Sequence, residues 1–228
     1  MKSKLIKTLF IQLAFCFLFS ACDSNHTTIE DAKEKISIEQ AKKLILATPD
    51  LSQSSIPDIE LIEITPSAIW DQTNCQLYKI VDDVKNSETF IVVNQKAVHI
   101  GNGFGGFGLT SAVPYDVNKD GFRDIVYAYS WGSGIHRSVI SWIDIKSFTE
   151  HPIEDRPDRA ISRADALILK IENNEVVVYR IAGMDESEIN PVRLRLYPSN
   201  KDIENMTLEK EGTLVWKNNE FYNHLYQE

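Results

Sequence analysis

From Asp58 onward the apolar residues of this chain recur at every second position, and two-residue breaks built on asparagine interrupt the pattern. Thr89–Val93 and Lys96–Ile100 flank Asn94-Gln95, Leu167–Ile181 folds back at Asn173-Asn174, and Thr213–Tyr222 turns at Asn218-Asn219. A two-residue hairpin turn needs positive φ, which asparagine tolerates better than most residues, so three antiparallel hairpins are expected. Ile59–Ile64 and Gln76–Val81 are further short strands. The spacing of the hairpins is irregular, which argues against a solenoid or a full set of propeller blades. The expected fold is mainly β, at the margin of α+β, with antiparallel sheets or hairpins and one N-terminal helix. A small or partial β-propeller is the alternative.

That helix begins at Ser37, where Ser37-Ile38-Glu39-Gln40 has the form of a capping box. Ile38, Ala41, Leu44 and Ile45 then share one face, and Thr48-Pro49 ends the run. The intervening stretches Glu150–Asp158, Met184–Pro191 and Pro198–Gly212 read as loops, the last highly charged.

The N-terminus carries an address. Lys2, Lys4 and Lys7 precede an apolar run from Thr8 to Phe19, too short to span a bilayer. Phe19-Ser20-Ala21-Cys22 resembles the lipobox of bacterial lipoproteins. The resemblance implies a signal peptide over residues 1–21 and lipid attachment at Cys22, hence a chain held at a membrane of the bacterial cell envelope and working outside the cytoplasm. Residues 22–36 are polar and charged and read as a tether, followed by a single domain over residues 37–228. Loss of the signal removes three of the 24 basic residues, leaving 21 against 33 acidic ones, a net charge of −12. Such a surface excludes nucleic acid and electrostatic docking on anionic lipid. With Cys16 in the signal and Cys22 lipidated, Cys75 is alone and reads as a core residue; a Cys22–Cys75 bridge is open only to an unlipidated chain.

The chemistry concentrates between Phe107 and Arg137. Asp116, Asn118, Asp120 and Asp124 place oxygen side chains at loop positions 1, 3, 5 and 9, with Gly121 at position 6 for a sharp turn. Three carboxylates within nine residues repel one another unless a cation neutralises them. An EF-hand would need a bidentate Glu where Tyr127 stands, and a helix where Ile125–Trp131 has a strand pattern. Together with Phe107-Gly108, the loop resembles an FG-GAP or VCBS-type repeat, in which a Phe-Gly pair precedes a calcium loop that enters a β-strand. The resemblance implies Ca²⁺ ligands at Asp116, Asn118, Asp120 and Asp124 and at the carbonyl of Phe122. The alternative is a metal-free Asx turn whose acids are compensated by Lys119 and Arg123.

Behind the loop, Trp131, Ser133, His136 and Arg137 cluster at a Gly-Ser-Gly hairpin tip and form a candidate surface for a glycan or protein ligand. Strand alternation sends His136 and Ser138 to one face and Arg137 to the other. The formal G-x-G-x-x-G at Gly101–Gly106 lacks the helix that a dinucleotide site needs. His99, His151 and His224 are scattered and support no zinc site. The leading functional expectation is a non-enzymatic binding or scaffolding module. A hydrolase with a site around Ser130–Ser138, carbohydrate-active or otherwise, and a purely structural envelope protein are the alternatives.

Overall fold

The capping box forms as the sequence requires. In the computed structural model Ser37 Oγ accepts the amide of Gln40, Gln40 Oε1 accepts the amide of Ser37, and helix α1 runs Ile38–Leu46. Ala41 and Ile45 are fully buried, whereas Ile38, in the first turn, is left exposed. The structure describes residues 34–49, 59–81, 88–101, 108–131, 137–153, 167–182, 207–217 and 220–225. The expected signal peptide, Cys22 and most of the expected tether lie outside these residues. No described helix is long and apolar enough to cross a membrane.

The fold is mainly β. Strands β1 (Glu60–Glu63), β2 (Gln76–Val81), β3 (Thr89–Val93) and β4 (Lys96–Ile100) form a first sheet in sequential order, with helix α2 (Ser67–Thr73) between β1 and β2. Strands β5 (Gly108–Tyr115), β6 (Asp124–Trp131), β7 (Arg137–Asp144) and β8 (Thr149–Pro152) form a second. A third contains β9 (Leu167–Glu172), β10 (Glu175–Ile181), β11 (Leu208–Lys217) and β12 (Glu220–Leu225). Each sheet is an antiparallel meander of four sequential strands, the topology of a propeller blade.

The asparagine turns take the backbone that the sequence asks of them. Asn94 and Gln95 sit at φ 47° and 60°, and Asn173 and Asn174 at 49° and 63°. The third hairpin pairs Lys217 with Glu220 across two residues. Two loop expectations are corrected. Leu208–Gly212 belongs to β11, where it pairs with β10 from Val178 to Ile181, and Glu150–Pro152 belongs to β8. Helix α2 is also new: it spans seven residues, has no side-chain cap, and is held by burial of Ile69 and by Asn74 in the left-handed region at its end.

Alternation assigns three layers of core. Tyr78, Phe90 and Val92 of the first sheet face α1. Leu77, Ile91 and Val93 face the other way, against Ile125, Tyr127 and Ile143 of the second sheet. The opposite face of the second sheet sets Val126, Ala128, Ile140 and Trp142 against Leu169, Val176, Val178 and Leu214 of the third. The second sheet is therefore covered on both sides. Cys75 is fully buried among these residues, and burial pushes its thiol up to about 11.

Edge strand β5 of the second sheet is stitched to both neighbours by side chains. Lys79 Nζ, wholly buried in β2, donates to the carbonyl of Leu109 at 3.1 Å. A bulge between Leu109 and Ser111 turns Thr110 so that its hydroxyl lies 3.2 Å from the carbonyls of both Ala128 and Leu167. Ser111 Oγ accepts the amide of Leu169 at 2.8 Å.

The domain also begins before α1. The amide of Ile36 donates to Gln76 Oε1 and its carbonyl accepts from Gln76 Nε2, at 2.9 and 3.2 Å. Lys35 pairs with Glu63. The final residues of the expected tether are thus part of the first sheet's surface.

Replacing Ser111 by alanine leaves the buried amide of Leu169 without an acceptor and is expected to cost about 1–3 kcal/mol, read as a lower denaturant midpoint with unchanged m-value.

Candidate metal centre

The aspartate loop joins β5 to β6. Its start is anchored by Val117, which is fully buried, and its end by Asp124, the first residue of β6. Between them Lys119 and Gly121 take positive φ, 60° and 86°, so the chain reverses sharply twice.

The loop's oxygens converge on its own amides. Asp116 Oδ1 and Asn118 Oδ1 both accept from the amide of Asp120, at 3.1 and 3.0 Å, which holds these two oxygens side by side. Asp116 Oδ2 accepts the amide of Gly121 at 3.1 Å, and Asp120 Oδ1 accepts that of Phe122 at 2.9 Å. Asp116, Asn118 and Asp120 thereby gather at one mouth of the loop. Asp124 turns inward and accepts the amide of Val117 at 3.1 Å.

A cation paired with these acids comes from outside the loop. Lys146 Nζ, from the β7–β8 turn, lies 2.8 Å from Asp120 Oδ2 and 3.5 Å from the ring centre of Phe122, which is 58% exposed. Asp144 holds that turn by accepting the amides of Lys146 and Ser147 on Oδ1, at 2.7 and 3.1 Å. The hydrogen bond from Lys146, and then that from the Phe122 amide, hold Asp120 below the usual carboxylate range. Among the described residues no three His, Cys, Asp or Glu side chains are grouped as a ready metal-ligating set. The donor chemistry at Asp116, Asn118 and Asp120 fits a hard cation, while Lys146 engages one of the oxygens.

The hairpin behind the loop yields less. Trp131 and Arg137 pair at the ends of β6 and β7; their side chains, and Ser133 and His136 altogether, lie outside the described residues. Ser130 and Ser138, directly opposite one another, are 2% and 1% exposed. His151 stacks on Trp142 at 4.3 Å, and His99 pairs with Glu88. Of the residues at the loop, sequence reasoning missed Lys146, because only the register of β6, β7 and β8 brings position 146 beside position 120. Comparison with protein-family models, with curated proteins and with solved structures finds no match for the chain.

Asp124 gives the loop a pH dependence. Burial pushes its carboxyl up to about 6, aided by the charges of Asp144 and Asp120 and opposed by amide hydrogen bonds from Val117 and Ile145. A folded-state pKa above the unfolded value contributes stability that is fully present below about pH 4 and is lost as pH rises to about 6. In metal-free protein, Asp124→Asn is therefore expected to gain about 3 kcal/mol at pH 7 and less than about 1 kcal/mol at pH 4. Melting curves at the two pH values check this, and equal shifts at both would contradict it.

Proposed function

We propose that this chain is a bacterial lipoprotein, anchored through Cys22 outside the cytoplasm, whose β domain is a binding or scaffolding module with a structural Ca²⁺ loop. Asp116, Asn118, Asp120, Asp124 and the carbonyl of Phe122 are its metal ligands in this reading. A single observation carries it furthest: the side-chain oxygens of Asp116 and Asn118 meet on the amide of Asp120, at the entry to a strand buried on both faces. Convergent oxygens are what a hard cation requires. The FG-GAP or VCBS-type resemblance of Phe107–Ile125 and the lipobox-like Phe19–Cys22 support the same reading. A surface with net charge −12 after signal removal suits a milieu in which divalent cations reach the loop. The role of the metal is to hold the loop at the start of β6. The ligand of the module is a glycan or a protein segment, met at the hairpin tip from Trp131 to Arg137. The hydrolase alternative gains no support from Ser130 and Ser138, which are buried.

Calcium at about ten times its dissociation constant is expected to stabilise the mature chain by about 1.4 kcal/mol, with chelator reversing the effect. Asp120→Ala is expected to show no calcium response. A melting temperature of the wild type that ignores both chelator and added Ca²⁺ would remove the metal from the account. For the anchor, a lipid precursor supplied to cells should label the wild type and not Cys22→Ser.

A further inference from the structure

We infer that Lys146 is the loop's internal cation: its ammonium stands where a divalent ion would meet Asp120 and must leave when the ion enters. The inference rests on the calcium reading above and concerns what sets the affinity of that loop. Lys146 Nζ is 2.8 Å from Asp120 Oδ2, the oxygen left over after Oδ1 accepts the amide of Phe122. It also lies 3.5 Å over the Phe122 ring, a cation–π contact with the residue that follows Gly121. The placement is built rather than incidental, because Asp144 fixes the amides of Lys146 and Ser147 and so aims the turn.

The charge balance explains why such a cation is needed. Asp116, Asp120 and Asp124 lie in one loop and Asp144 in the turn beside it, and Asp124 feels both Asp144 and Asp120. With no ion bound, Lys146 places its positive charge 2.8 Å from Asp120 Oδ2. Calcium repeats that task with two charges and more ligands. The two cations therefore compete for one carboxylate. Metal entry releases Lys146 and uncovers Phe122.

The test is calcium titration calorimetry on the mature chain in detergent, paired with metal-free melting. Lys146→Met keeps the apolar stem and removes the charge. It is expected to bind Ca²⁺ about tenfold more tightly than the wild type, since an exposed ion pair and one cation–π contact no longer oppose binding. Without metal it is expected to melt at a lower temperature, and Lys146→Arg is expected to restore wild-type melting. Lys119→Met separates direct exchange from the general field, because Lys119 lies in the same loop away from Asp120's bond to Lys146. An equal gain in affinity from Lys119→Met, or wild-type affinity in Lys146→Met, overturns the inference. If no variant binds Ca²⁺, the calcium reading fails by itself. The internal-cation role then stands if Lys146→Met lowers metal-free melting and Lys146→Arg restores it, and falls if it does not.

Discussion

The second sheet is covered on both faces, and the rest of the fold answers to that constraint. Edge strand β5 is buried along almost its whole length, so its outward peptide groups need partners from neighbouring elements. Lys79 reaches in from the first sheet to the carbonyl of Leu109, and Thr110 and Ser111 reach out to β9 of the third. Three separate meanders are thereby held by directional contacts as well as by apolar packing. The bulge at Thr110 is the adjustment that lets one edge serve both neighbours.

Placing the aspartate loop at the end of that sheet has an electrostatic cost. Asp124 feels the charges of Asp144 and Asp120 there and is drawn into the core by the strand it starts. The loop offsets the repulsion by turning its oxygens onto its own amides and by borrowing a lysine from two strands away. Its oxygens are accordingly met by peptide dipoles and by an ammonium.

Much of the architecture is legible in the sequence because its signals are local. Ser37 and Gln40 are three residues apart, and Asn94-Gln95 and Asn173-Asn174 sit within the turns that they specify. Helix α2 and strand β8 escape such reading, since each is too short to show a period and is made by tertiary contact through Ile69 and through pairing with β7. The charged start of β11 misleads for a related reason: Leu208–Gly212 has the composition of a loop, and pairing with β10 overrides it. At the loop itself the ligand spacing is visible in the chain, whereas Lys146 is not. Its partner lies 26 positions away, and only sheet register relates them.

The clasp between Gln76 and the peptide of Ile36 has a consequence for reach. It fixes the point at which the chain leaves the folded body, on the first sheet and ahead of α1. Between Cys22 and Ile36 lie fourteen peptide units, which span at most about 50 Å when fully extended. In the proposed lipid-anchored form, the first sheet would work inside a shell of that depth above the bilayer. A partner larger than the shell would have to approach from the side facing away from the membrane, whereas one embedded in the same membrane stays within range throughout.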